Sequence, residues 1–439
     1  MKTFLRGTLL LTIAAFIGEC IEFFINMILA RELQESGMGH YMSILPIIYF
    51  LAIIASFELP ISISKYVAEN KSVYHKQFLT YSLKIAFMVS VIISGLAMVV
   101  LSNLSFMTFY HPHTIWLLIV MIPLLSFSSV ARGYFMGTHQ MGKIAFANGS
   151  RKAFQLILLL LLFQTLIKNQ QHALLMALAA FVVSEVMMVV YLMVAFYLQM
   201  KGLKQKQSHS HSSSFIQKQL FSISIPTTGL RLFHSFTHVL QPFLIKISLV
   251  NAGYTKIAAN EHFGLLSGVA ISIGFFPAFI AHSLLVALIP SVSEAKAKND
   301  QVMLINLLRR VCVITLGYGI PAIFIIYWFA EPLTYLFFDS TSAVQYLILL
   351  LPYFFFHYLV VPLQAYLIGL HLIKPAFMQT VWSHLVMFIL MYLLGSQSEW
   401  HMTGVILSMN IGAVVQFLLH YFTICKKIGF SFRKHILIN

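Results

Sequence analysis

YFMGTHQMGKIAF (134–146) and YLIGLHLIKPAF (366–377) decide the architecture of this chain. Tyr134, Gly137 and His139 match Tyr366, Gly369 and His371 at an offset of 232, and Lys143, Ala145 and Phe146 match Lys374, Ala376 and Phe377 at 231. A second pair, SISKYVAENK (62–71) and SVSEAKAKND (291–300), repeats at 229, each just after a proline, Pro60 or Pro290. Two independent matches near one offset mark an internal duplication. Between the copies lies KGLKQKQSHSHSSS (201–214), polar, basic and Ser-rich, which reads as a flexible linker. The expected units are therefore a first lobe (1–200), a linker (201–218), a second lobe (219–424) and a basic tail (425–439). His209 and His211 on the linker supply too few ligands for a closed metal site.

The medium in which these copies fold is set by composition. Of 439 residues, 59% are hydrophobic and 9% charged, against roughly a quarter charged in a soluble domain. The apolar residues form runs long enough for a helix to cross about 30 Å of hydrocarbon at about 1.5 Å per residue. Alternating segments of the membrane β-barrel kind do not appear. Spans are predicted near 7–30, 40–63, 78–101, 114–137, 145–168 and 172–198. A second set follows near 219–247, 263–290, 303–330, 342–368, 375–396 and 401–424. The first run, which carries Glu19 and Glu22 and leads directly into a second span, reads as a retained helix rather than a signal peptide. The predicted fold is thus an all-α polytopic membrane protein of about twelve transmembrane helices in two parallel six-helix bundles, related by an axis along the membrane normal.

The formal charge of +15 would suggest nucleic acid in a soluble protein, but here the charges sit mostly between spans. With a cytoplasmic N-terminus, 23 of the 28 Lys and Arg residues fall on the inside. Arg31, Lys168, Lys246 and Lys256 fall outside, and Arg231 lies within a span. That bias places both termini in the cytoplasm. Cys20, Cys312 and Cys425 are odd in number and far apart, which argues against a disulfide framework.

Gly137-Thr-His-Gln-Met-Gly142-Lys143 has the spacing of a phosphate-binding loop. It lacks the following Ser or Thr, however, and joins two spans instead of a strand and a helix. No cluster of acids, nucleophile with base, or metal ligands points to an enzyme, and no cofactor is expected. The better pointers are ionisable residues within spans, which are costly unless paired or hydrated. Glu19, Glu22 and Asn26, at i, i+3 and i+7, share one face of span one. Arg231, His234, His238 and Gln241 share one face of span seven. Glu19 and Arg231 each lie 12 residues into their spans, about 18 Å deep, so the two stripes are expected to confront each other across a polar cavity with Arg231 near Glu19 or Glu22. A purely structural ion pair is the competing reading. His234 and His238 titrate in the range that suits proton coupling, or else hydrogen-bond into helix packing.

Glu58, near the cytoplasmic end of span two, and Glu185, mid-span six, are secondary candidates for the same cavity; reaching the interface is the competing reading for Glu58, and Glu185 needs a partner. Gly264 and Gly268 suit close helix packing. Pro226, Pro242, Pro277 and Pro290 are sites for bends in spans seven and eight.

Four stretches, ILARELQESGMGHYMSILP (28–46), LPISISKYVAE (59–69), RGYFMGTHQM (132–141) and GLLSGVAISIGFFPAFIAHSLLVALIPSVSEAKA (264–297), resemble the polysaccharide-export and stage V sporulation protein B branch of the MOP flippase superfamily. The resemblance runs along most of the chain. It implies a MATE-like fold and alternating-access export of lipid-linked sugar precursors in a bacterial cytoplasmic membrane, with membrane lipids and a lipid-linked glycan as partners. A polyprenyl pyrophosphate headgroup is polyanionic, and cavity cations such as Arg231 would hold it. Relatives often carry Thr-Arg in the first helix where this chain has Gly18-Glu19. Lipid-precursor flippases of the superfamily also commonly have two further C-terminal helices, for which this length leaves no room. Two other functions stay open: a multidrug or small-molecule exporter coupled to a cation or proton bound by Glu19 and Glu22, and a transport-inactive scaffold of envelope or spore assembly.

The charge bias yields a direct test of orientation. Alkaline phosphatase fused in the 103–113 loop should be active and in the 64–77 loop inactive; the opposite pattern would contradict cytoplasmic termini.

Overall fold

The computed structural model describes residues 2–70, 72–166, 170–202, 213–338 and 341–429. Most of the 201–218 linker and of the basic tail therefore lies outside the described residues. Sixteen α-helices follow one another: α1 (Lys2–Ser56), α2 (Leu59–Glu69), α3 (Ser72–Asn103), α4 (His113–Gly137), α5 (Met141–Leu166), α6 (Gln170–Gly202), α7 (Ser213–Asn251), α8 (Lys256–Gly264), α9 (Ile271–Phe275), α10 (Phe279–Ala297), α11 (Gln301–Trp328), α12 (Ala330–Phe338), α13 (Val344–Leu349), α14 (Leu351–Gly369), α15 (Ile373–Gly395) and α16 (His401–Ile428). No strand occurs among the described residues. In hydrocarbon a helix satisfies its own backbone, which open strands cannot do.

Ten helical stretches among the described residues are long and apolar enough to cross a membrane. One of them, Phe16–Glu69, has 54 residues, about 80 Å of helix. It is broken at Gln34 (φ 57°) within the polar segment RELQESGMGH (31–40), so it holds two crossings. The 39-residue α7 lies outside the ten, so the described residues give a count roughly in line with the expected twelve.

The duplication read from the sequence reappears as one backbone motif built twice. At the end of α4, Gln140 N–H donates to Phe135 O (2.8 Å) and His139 N–H to Met136 O (3.1 Å). At the end of α14, Leu372 donates to Leu367 O (2.9 Å) and His371 to Ile368 O (2.9 Å). His139 and His371 sit at φ 57° and 58°, as this helix-ending turn requires of its left-handed residue. Gly137 and Gly369 are the last residues of their helices, and each faces a neighbour that leaves no room for a side chain. A Cβ on Gly137 would meet Ser64 O and Val67 Cβ of α2, and one on Gly369 would meet Ile289 O and Val292 Cβ of α10.

The chain packs as two compact units, one of Met1–Gly39 with Gln241–Asn439 and the other of His40–Leu240. In the first, the opening part of α1 lies along α8 and the helices after it. Phe23 packs edge-on against Phe276 and Phe337 at ring-centroid distances of 5.3 and 5.2 Å, and Asn260 Nδ2 donates to Ser36 O at 2.8 Å. The Gly264 and Gly268 pair serves that approach. A Cβ on Gly264 would strike Glu35 O, and one on Gly268 would strike the Met38 side chain. Leu265–Ala270 is a π-helical turn and Phe276–Ala278, with Pro277, a 3₁₀ turn. Pro242 and Pro290 lie inside continuous α7 and α10.

In the second unit, α2, α3, α4 and α6 share a core that includes Ile63, Tyr66, Phe78, Val130, Phe135 and Met188. Tyr66 stacks flat on Phe78 at 3.6 Å between centroids.

Gly264→Ala should cost about 1–3 kcal/mol by overpacking against backbone that cannot turn aside. Gly317→Ala, which meets nothing within 4 Å, should be neutral. Thermal unfolding of the two purified variants in detergent checks this, and equal melting temperatures would refute the close approach of α8 to α1.

Candidate functional site

The most distinctive site begins with a break in the second span. Phe57 and Glu58 both take left-handed backbone (φ 47° and 44°), which costs an ordinary residue roughly 1–2 kcal/mol. Pro60 in the first turn of α2 suits a helix start just after the break, because its missing N–H is one that the first turn leaves without an intrahelical partner in any case. The break turns Glu58 inward, where the whole residue is 2% exposed. Its Oε1 accepts from Arg231 Nη1 at 2.7 Å.

Helix α7 is held against α2 by further contacts. Ser62 Oγ and Ser224 Oγ are 2.7 Å apart, Ser62 Oγ also reaches Leu220 O at 3.3 Å, and Phe57 packs edge-on to Phe221 at 5.9 Å. Moving back along α2 from Ser62 to Glu58 runs forward along α7 from Ser224 to Arg231, so the two helices are antiparallel. The ion pair is lopsided: the Glu58 side chain is 3% exposed and that of Arg231 60%. A buried carboxylate thus holds a guanidinium that is itself mostly exposed.

The sequence suggested Glu19 or Glu22 as the partner of Arg231; within its own unit that partner is Glu58, the secondary candidate at the end of span two. Glu19, Glu22 and Asn26 lie on one uninterrupted stretch of α1 in the other unit, each half-buried. Along α7, His238 is exposed and Gln241 half-buried, while the His234 side chain lies outside the described residues.

Glu185 now has its partner. Arg151 Nε lies 3.3 Å from Glu185 Oε1, with the side chains only 15% and 10% exposed. Arg151 also sits 5.6 Å from the Phe181 ring and bonds Gln155 at 3.4 Å. Arg132 Nη2 reaches Met188 Sδ at 3.0 Å and Asn148 Oδ1 at 3.4 Å. These two arginines were counted with the loop charges, yet they lie within α4 and α5. Their only sequence signal was a position inside the predicted spans 114–137 and 145–168.

An open depression of about 660 Å³ is lined by Glu331, Thr341, Ser342, Val344, Gln345, Ile348 and Leu349. None of the predicted site residues belongs to it.

Known proteins match this chain along its length. The profile of the polysaccharide biosynthesis protein family matches residues 4–253 and that of the MatE family residues 266–393. Sporulation protein YkvU of Bacillus subtilis is 47% identical over 98% of this chain and 97% of its own length. Stage V sporulation protein B of the same organism is 28% identical over 98% and 85%. Among solved structures, the inward-facing form of a multidrug-resistance MATE-family transporter of the MOP superfamily aligns with a TM-score of 0.69 at 15% identity, covering 94% of this chain and 96% of that one. A MOP-superfamily transporter from Pyrococcus furiosus aligns at 0.65 and 15% identity, covering 96% and 95%. These structures establish the MATE-like fold. By the match over its first 250 or so residues and the relative 47% identical along nearly its whole length, the chain belongs to the polysaccharide biosynthesis protein family.

Proposed function

We propose that this transporter moves an anionic, lipid-linked glycan intermediate of envelope or spore assembly across the bacterial cytoplasmic membrane by alternating access. The observation that carries the reading is the Arg231–Glu58 pair, in which a buried acid aims an exposed guanidinium from an apolar helix. An arginine keeps its charge at any physiological pH and offers five N–H donors in a planar fork. Glu58 engages one edge of that fork at 2.7 Å, and the other edge suits a phosphate or pyrophosphate oxygen pair. The family's description and the sporulation relatives favour the same substrate class.

In this reading the two lobes, 1–200 and 219–424, rock about the linker with both termini in the cytoplasm. Glu19, Glu22 and Asn26, and Arg231, His234, His238 and Gln241, are the residues proposed to act on substrate or coupling ion. Half-buried acids on an apolar helix also favour a second reading, a cation- or proton-coupled small-molecule exporter. The two separate cleanly in a pump-deficient host, where only the second predicts altered susceptibility to unrelated drugs.

Depletion of the protein should build up a lipid-linked glycan on the cytoplasmic leaflet; no accumulation of any such carrier would refute the proposal. Arg231→Ala should reproduce the accumulation while still inserting in the membrane. It should also cost about 1–3 kcal/mol, because it strands a buried carboxylate. Adding Glu58→Gln should return most of that stability without returning transport. Recovery of transport in the double variant would make the pair purely structural.

A further inference from the structure

We propose that the exposed face of α11 is a groove for one anionic phospholipid, with Arg309 and Arg310 on its phosphate and the apolar continuation of the face along an acyl chain. Asn306, Arg309, Arg310, Val313 and Ile314 recur at i, i+3, i+4, i+7 and i+8, which gathers them on one side of the helix. Together they line a cavity of about 340 Å³. Both arginines are exposed, and the ion pairs given for the described residues include neither. The acids just before α11 are already engaged: Glu294 pairs with Lys298 at 2.6 Å, and the Asp300 side chain caps the helix by accepting from Met303 N–H at 2.8 Å. The two guanidiniums therefore form an uncompensated patch of positive charge.

Its level along the helix identifies the anion that balances it. From Val311 to Trp328 the helix carries no charged residue, a length of about 27 Å that matches the hydrocarbon core. Tyr327 and Trp328, both exposed, mark the far edge as an interfacial aromatic pair does. Arg309 and Arg310 then fall at the near edge, the depth of lipid phosphates. A free phosphate would use only the charged end, whereas Val313 and Ile314, both exposed in the same groove, add an apolar wall. Consecutive residues diverge by about 100° on a helix, so the two guanidiniums reach a phosphate from two sides. A zwitterionic lipid brings its own cation to that phosphate, which sets the preference for a net negative headgroup. Arg231 and the transported molecule play no part in this site.

Native mass spectrometry of the full chain, released from micelles containing equal phosphatidylglycerol and phosphatidylcholine, tests it. The wild-type protein should retain phosphatidylglycerol about tenfold over phosphatidylcholine. Arg309→Gln with Arg310→Gln should abolish the preference, and the corresponding double lysine variant should keep part of it. Equal retention of both lipids by the wild type, or an unchanged preference in the glutamine variant, would overturn the proposal. Displacement of the lipid by inorganic phosphate would overturn it too, in favour of a simple phosphate site. Should the double glutamine variant fail to reach the membrane, Arg310→Gln alone carries the same expectations.

Discussion

Hydrocarbon offers no partner to a peptide N–H or C=O, and every other feature of this chain answers to that constraint. Continuous helices meet it trivially. Breaks must meet it with named groups, and the chain uses a small set of devices to do so. The turns after α4 and α14 close on their own carbonyls through His139 and His371. At the break, Phe57 N–H still donates to Ile53 O at 3.1 Å and Ile61 N–H to Glu58 O at 3.2 Å, while α7 packs alongside through Phe221. The buried carboxylate of Glu58 is answered by Arg231.

Two ion pairs in the same unit show how burial separates roles. Arg151 and Glu185 are both largely buried and sit among Gln155, Phe181 and, through Arg132, Asn148 and Met188. Such a pair knits helices together, and its net contribution to stability is small once desolvation is counted. In the Arg231 pair only the acid is buried. In the proposed role such an arginine takes an anionic group at less cost in side-chain ordering, because one edge is already held by Glu58.

Much of this was legible in the sequence for identifiable reasons. The repeat could be read because its tyrosine, glycine and histidine serve one backbone turn and one tight helix contact, which admit few substitutes. Spans could be read because length and apolarity are local properties. The break at Glu58 was not read, although Pro60 two residues later is its signal; the apolar run continues across it and masks the change of direction. Arg231 stands out in the sequence as a charge within a span, but its partner lies 173 residues away, and such a pairing is a fact of packing. Nor does residue spacing reveal that the first 39 residues pack along α8, an approach permitted by Gly264 and Gly268.

Reconstitution measures most directly whether this chain carries an anionic lipid-linked glycan across a bilayer, as proposed. Purified protein in proteoliposomes would be given a polyprenyl-pyrophosphate-linked sugar on one leaflet, and its exposure to a lectin on the other followed with time. Crossing should depend on the protein, and Arg231→Ala should abolish it while the variant remains folded in the vesicles. Crossing no faster than in protein-free vesicles across a range of such sugars, or crossing indifferent to Arg231, would contradict the proposal.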